Sequence, residues 1–124
     1  MIKGIGIDTI ELDRIARVYG EYQTRFLDRV FSTEERAYAL KYADPVPRLA
    51  ARFAAKEACM KALGTGWNLG VRWKDIVVTN DAMGKPALTL RGEASRFLEK
   101  LSVDRIHLTL THSKTHATAV VIFE

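Results

Sequence analysis

The sequence predicts an α+β fold: a largely antiparallel sheet packed against a long central helix, in a single domain spanning residues 1–124. Three observations carry that expectation. The chain is 124 residues long, the size of one ordinary domain and too short for two separately folded lobes. Its last 20 residues alternate apolar and polar side chains with the two-residue period of strands. Its middle holds an alanine-rich segment with helical period and a glycine at its end, a helix with a stop signal.

Element by element, Ile2 to Thr9 is short, apolar and broken by Gly4 and Gly6. It reads as a strand whose glycines require close approach by another backbone or a ligand. Ile15, Val18, Tyr19, Tyr22 and Phe26 then mark one face of a helix that Gly20 kinks or splits. Ser32 followed by Glu35 is a capping box opening a helix through Tyr42, which Asp44-Pro45 ends. Pro47 to Leu63 is the long helix, with Gly64-Thr65-Gly66 as its flexible exit. Asp75 to Asn80 and Ala87 to Leu90 are strands joined by a loop through Gly84, and Gly92 to Leu101 is a helix. Ile106, Leu108 and Leu110 form one alternating strand and Ala117, Ala119, Val121 and Phe123 the next, with Ser113 to His116 turning between them.

The composition is globular, 48% hydrophobic and 27% charged. Nineteen Lys and Arg against 15 Asp and Glu leave a formal charge of +4, which favours an acidic partner without choosing among phosphate, nucleic acid and protein. The lone Cys59 excludes an intrachain disulfide and fits a reducing compartment. No stretch approaches the ~20 apolar residues of a membrane helix, and MIKGIGID lacks the apolar core of a signal peptide. The expectation is a soluble, cytoplasmic protein with no membrane association.

Few residues stand out for chemistry. Lys56 and Glu57 lie three and four residues after Phe53, on or beside the packed stripe of the long helix, where a charge must be paired or bound. Glu57 and Lys61 have the spacing of an ordinary i,i+4 ion pair. Asp8 ends the first strand beside two glycines, a position open to a metal or phosphate, though also that of a helix N-cap. His112 prolongs the face of Ile106, Leu108 and Leu110, and Cys59 reads as small helix packing. The three histidines lack metal-ligand spacing. Arg14, Arg25 and Arg29 flank the first apolar stripe, either as a solvated face or as a dock for an acidic partner. No interleaving of arginine with aromatic residues, of the kind that stacks bases, is visible in the sequence.

Taken together, GIGIDTIELDRI at the start, RFAAKEACMKALGTG in the middle, GKP in the loop and LTLTHSKTHATA near the end resemble the holo-acyl-carrier-protein synthases. These are the short bacterial type of 4′-phosphopantetheinyl transferase. The resemblance runs in order over nearly the whole chain and is weakest from Gly20 to Arg48 and from Trp67 to Lys74.

The resemblance implies transfer of the phosphopantetheine arm of coenzyme A to a serine of apo acyl carrier protein, releasing adenosine 3′,5′-bisphosphate, in support of fatty acid biosynthesis. It implies Asp8 and Glu57 as magnesium ligands and Lys61 beside the pyrophosphate. Arg52 serves the 3′-phosphate side. Gly84, Lys85 and Pro86, with His112 and Ser113, line the coenzyme pocket, and Gly64 and Gly66 let backbone approach phosphates. Arg14 faces the carrier protein; by helical spacing Arg25 lies further along the same flank if the helix continues through Gly20. It also implies a homotrimer with active sites between subunits. Magnesium commonly takes one or two carboxylates plus phosphate and water oxygens, so two acids suffice. Glu57 is the candidate base for the incoming serine, and Lys61 stabilises charge on the departing bisphosphate. Two other classes share these features: a magnesium-dependent nuclease or phosphodiesterase using the same carboxylates, and a non-catalytic binder of coenzyme A or nucleic acid.

Overall fold

A computed structural model describes residues 1–66 and 68–124; Trp67, at the start of a stretch where the family resemblance is weakest, lies outside the described residues. The order is β1 (Gly4–Glu11), α1 (Leu12–Tyr22), α2 (Thr24–Val30), α3 (Thr33–Leu40), α4 (Val46–Leu63), β2 (Ile76–Asn80), β3 (Pro86–Leu90), α5 (Gly92–Lys100), β4 (Ile106–His112) and β5 (His116–Phe123). A single 3₁₀ turn, Trp73–Asp75, leads into β2. The strands form a three-stranded sheet, β1-β5-β4, and a separate β2-β3 hairpin, and every pairing is antiparallel. The expected α+β architecture around a long helix is therefore present, its strands divided between two sheets.

The helix α4 packs across β1 and β5, and small residues make this possible. On β1, a Cβ at Gly4 would lie 2.6 Å from the Ala62 carbonyl oxygen, and one at Gly6 only 1.9 Å from that of Ala58. The close approach expected from these glycines is thus the helix backbone itself. Ala50, Ala54, Ala55 and Ala58 are fully buried on α4, and Ala117, Ala119, Val121 and Phe123 fill the inner face of β5. On the opposite face of the sheet Ile5 and Ile7 are 65% and 59% exposed and stand in register with the half-buried Ile122 and Val120.

Several boundaries differ from expectation. Strand β1 runs on to Glu11, so Asp8 lies inside it and caps no helix; Glu11 occupies the N-cap of α1 without a side-chain bond. The Thr9 hydroxyl bonds that of Thr118 across the sheet. The first helical segment breaks at Gln23, which takes φ 46°, and not at Gly20. Gly20 is exposed and costs the helix only propensity. The turn at Gln23 instead swings Phe26, Leu27 and Val30 of α2 into the core. Helix α3 stops at Leu40, short of Tyr42. Its capping box forms as expected: the Ser32 hydroxyl accepts from the Glu35 amide at 3.2 Å, and the Ser32 amide donates to Glu35 Oε1 at 2.9 Å.

Candidate functional site

Two clusters converge on α4. The first lies against β1. Gly4, Gly6 and Asp8 share the face of β1 that meets the helix, so the glycines that draw the backbones together also draw Asp8 toward α4. Lys61 Nζ donates to the Ile7 carbonyl at 3.0 Å and to Asp8 Oδ1 at 3.1 Å. The simple i,i+4 pairing of Glu57 with Lys61 is therefore not formed: the lysine's ion pair goes to an acid 53 positions away in sequence. Glu57 stands beside the pair and forms no ion pair among the described residues. Partial burial, and then the neighbouring Asp8 carboxylate, push Glu57 above its ordinary value, while Lys61 and Arg14 pull it back. The half-exposed Lys61 thus pairs with Asp8 alone, while Glu57 feels the charges of Asp8, Lys61 and Arg14 without pairing to any of them.

The second cluster is a cleft of about 250 Å³ lined by Tyr38, Pro47, Arg48, Ala51, Arg52, Asn80, Gly84, Pro86, Leu110 and His112. Arg52 is 4% exposed. Its Nη2 donates to Asn80 Oδ1 at 2.6 Å, its guanidinium carbon lies 4.1 Å from the centre of the Tyr38 ring, and its buried Nε has no partner. Burial holds Arg52 below the ordinary arginine value, against the opposing pull of Tyr38 and Glu35. Arg48, one turn earlier, stacks on Tyr42 at 3.7 Å, and the two tyrosine rings stand 5.8 Å apart. The fold therefore builds the arginine–aromatic interleaving that the sequence did not reveal, because its members come from α3, the connection after it and α4. Arg52 and Glu57 are separated by about 7.5 Å along α4 and by roughly 140° around it, so the two clusters occupy different faces of the helix in one chain.

The remaining candidates divide. Gly84, Pro86 and His112 line the Arg52 cleft. Lys85 lines a separate depression of about 300 Å³ with Asp81, Ile106 and His107. Ser113 shapes the β4–β5 turn, its hydroxyl accepting the amides of Thr115 and His116. Gly64 takes φ 80° and spends its amide on the Met60 and Lys61 carbonyls as the C-cap of α4; Gly66 takes φ 58° with open space around it. Arg14 is on α1 and Arg25 on α2, so they do not share one helical flank. Arg25 lines a groove of about 250 Å³ with Val18, Tyr22, Phe26 and Arg29. Among the described residues, no group of three or more His, Cys, Asp or Glu side chains forms a metal cluster.

Sequence reasoning missed the partner of Lys56. This lysine is fully buried and donates to Glu35 Oε1 at 2.7 Å and to the Trp73 and Ile76 carbonyls. Glu35 also accepts from the Val78 amide at 2.8 Å. One buried ion pair thus ties α3 and β2 to α4, holding Tyr38 and Asn80 against Arg52. The available signals were a charge on a packed face and a capping-box glutamate, but nothing in the sequence joins residues 21 apart. Burial pulls Lys56 below the ordinary lysine value, opposed by Glu35. Cys59 is buried as expected, its thiol pushed up to about 12 by desolvation.

A family model for the 4′-phosphopantetheinyl transferase superfamily matches residues 4–121. A holo-[acyl-carrier-protein] synthase of Solibacter usitatus is 49% identical over 124 residues, covering all of this chain and 99% of its own. The crystal structure of holo-[acyl-carrier-protein] synthase from Neisseria meningitidis superposes with a TM-score of 0.91 at 36% identity, covering 100% of this chain and 99% of that one. That of Bacillus anthracis, in complex with CoA (3′,5′-ADP), gives 0.83 at 39% identity, covering 99% and 96%. Fold and sequence together define the class, an enzyme of phosphopantetheinyl transfer. The chain belongs to the 4′-phosphopantetheinyl transferase superfamily and, within it, to the holo-[acyl-carrier-protein] synthase family.

Proposed function

We propose that this enzyme takes coenzyme A as donor and transfers its 4′-phosphopantetheine to a serine of apo acyl carrier protein, releasing adenosine 3′,5′-bisphosphate and supporting fatty acid synthesis. The observation that carries the reading is the convergence on α4 of an acid pair with its lysine and a tyrosine-backed arginine cleft. The coenzyme offers a pyrophosphate to the first and a 3′-phosphate to the second. The complex of the Bacillus anthracis relative with CoA (3′,5′-ADP) supports the choice of donor.

A magnesium ion fits the donor set. Asp8 and Glu57 bring two hard oxygen donors to one side of α4; partial burial, and after it the Asp8 charge, holds Glu57 above the ordinary carboxylate value, an environment that a cation would relieve. With only two protein carboxylates, the remaining coordination falls to water and phosphate oxygens. When bound, the ion supplies Lewis-acid neutralisation of pyrophosphate charge.

The chain's own residues do the rest. Lys61 has three N–H donors and spends two, on Ile7 and Asp8; the third is available to the pyrophosphate as charge builds on the departing bisphosphate. The carrier serine's oxygen forms the new bond to the β-phosphorus, the bond from that phosphorus to the bridging oxygen breaks, and the α-phosphate leaves with the bridging oxygen. Glu57 accepts the serine proton, a task helped by the burial and the Asp8 charge that strengthen it as a base. Gly84, Pro86 and His112 line the nucleotide end of the site beside Arg52, with Lys85 and Ser113 next to them in the chain; Gly64 and Gly66 follow the other end of α4, beyond Lys61, and would offer backbone to the pyrophosphate side.

Three further features complete the reading. Residues 1–124 act as one transferase domain, working in the cytoplasm; no helix among the described residues is long and apolar enough to cross a membrane. The chain works as a homotrimer with sites between subunits. The exposed Ile5 and Ile7, beside the half-buried Val120 and Ile122, support self-association, and the placement of the two clusters on different faces of α4 supports a site completed by a neighbour. The exposed Arg14 and Arg25, the latter beside an apolar groove, receive the acidic carrier protein.

Incubation with coenzyme A, magnesium and apo carrier protein, followed by intact-mass analysis, tests the reaction. The expected result is a carrier protein heavier by one phosphopantetheine. Coenzyme binding without transfer would indicate a binder, and phosphodiester cleavage without the adduct a nuclease.

A further inference from the structure

The Arg52 cleft contains a second arginine that the transfer chemistry leaves unexplained. Arg48 and Arg52 are four residues apart on α4, a spacing that places like charges side by side at some cost to the helix. No acid answers either one: neither forms an ion pair with Asp or Glu among the described residues. Each is backed instead by an aromatic face, Arg48 by Tyr42 at 3.7 Å and Arg52 by Tyr38 at 4.1 Å. Stacking occupies the face of a guanidinium and leaves its in-plane N–H groups free. Arg52 spends one of those groups on Asn80 and leaves its buried Nε without a partner. Arg48 has Tyr42 as its side-chain partner, through the ring face and the hydroxyl, and no acid.

Two pre-oriented, uncompensated forks in one cleft match an anion with several terminal oxygens and more than one negative charge. A phosphomonoester has three terminal oxygens and approaches a charge of −2 at neutral pH. A diester has two and a charge of −1. Arginine binds such oxygens bidentately, and the bonds are charge-assisted.

We propose that Arg48, held on Tyr42, is a specificity-determining residue that closes on the same phosphomonoester as Arg52. In coenzyme A that group is the 3′-phosphate. The assignment rests on the donor proposed above, and it adds that Arg48 and the two tyrosines make the enzyme select coenzyme A over its 3′-dephospho form. Arg48, Tyr38 and Tyr42 lie in the stretch from Gly20 to Arg48 where the family resemblance is weakest, so this grip is built from residues the shared motifs do not supply.

The test compares two ligand pairs that differ only in the 3′-phosphate. Calorimetry compares adenosine 3′,5′-bisphosphate with adenosine 5′-monophosphate, and transfer kinetics compare coenzyme A with 3′-dephospho-coenzyme A. Arg48→Met keeps the apolar stem and removes the fork. Its discrimination within each pair should fall roughly 10- to 100-fold, the size of one charged hydrogen-bonding contact. Arg48→Lys, which keeps the charge without the fork or the stack, should recover only part, and Tyr42→Leu should lose a smaller share. Equal weakening of both members of a pair by Arg48→Met, or no weakening, overturns the proposal. So does a wild-type protein that transfers from both donors alike, a result that leaves the transferase reading standing. Selective bisphosphate binding through Arg48 in a protein that transfers nothing would support the cleft assignment and count against the transferase reading alone.

Discussion

Replacing Gly6 by alanine tests how β1 brings Asp8 to the helix. A Cβ at position 6 would lie 1.9 Å from the Ala58 carbonyl oxygen, 2.8 Å from its carbon and 3.0 Å from the Ala62 nitrogen. Ordinary contact begins near 3.4 Å, so strand and helix must part by about 1.5 Å at that point. All three obstacles are backbone atoms of α4, and no side chain can rotate out of the way. Overpacking commonly costs 1–3 kcal/mol and more where nothing can yield, so about 3–5 kcal/mol is expected here. At about 4 °C per kcal/mol for a domain of this size, the midpoint of a thermal melt should fall by roughly 12–20 °C. Asp8 is two residues further along the same face, so surviving folded protein should also lose about 100-fold in transfer rate, the scale of a 1 Å misplacement. Gly20→Ala is the control. A Cβ there meets nothing within 4 Å, and the change should raise stability by about 0.5–1 kcal/mol through helix propensity. A Gly6→Ala protein that melts with the wild type, or that is fully active at 25 °C, would refute the close-packing argument.

The other predictions concern charges. Asp8→Ala and Glu57→Gln should each remain folded and lose roughly 100- to 1,000-fold in transfer rate, measured by carrier-protein mass shift. Glu57 has its proton affinity raised in the fold, so the stability it contributes is present below the ordinary carboxylate value of 4.5 and lost as pH rises through the raised value. Glu57→Gln should therefore melt above the wild type at pH 7 in chelator, and the difference should vanish toward pH 4. Lys56→Met strands the Glu35 carboxylate in the core and should cost about 3–5 kcal/mol in urea unfolding. Adding Glu35→Gln, which removes the stranded charge and keeps one oxygen to accept from either the Ser32 or the Val78 amide, should recover part of that loss. Arg14→Glu should raise the Michaelis constant for carrier protein roughly 3- to 10-fold while leaving coenzyme A binding intact. Added salt should weaken the wild type in the same direction, because exposed charges are screened beyond about 8–10 Å; a salt-insensitive constant and an unaffected variant would reject docking at Arg14.

Local chemistry was legible in the sequence wherever a residue's neighbours along the chain decide its state. The capping box of Ser32 and Glu35, the glycine stop at Gly64 and the alternation of β5 all depend on spacings of two to four residues, and all are present. Gly4 and Gly6 announced a close approach without saying to what, and Lys56 announced a buried charge without naming its counterion. Tertiary packing decided these. Lys61 turns to Asp8 and away from Glu57, Lys56 finds Glu35, and Arg48 and Arg52 acquire Tyr42 and Tyr38. The break at Gln23 is of the same kind, since it falls where the chain must turn to bury Phe26 and Val30 and not where helix propensity is weakest. Periodicity states which face of an element a side chain occupies, but the partner a charge receives depends on which other face arrives there. That is settled only when the glycines and alanines of β1 and α4 let their backbones close together.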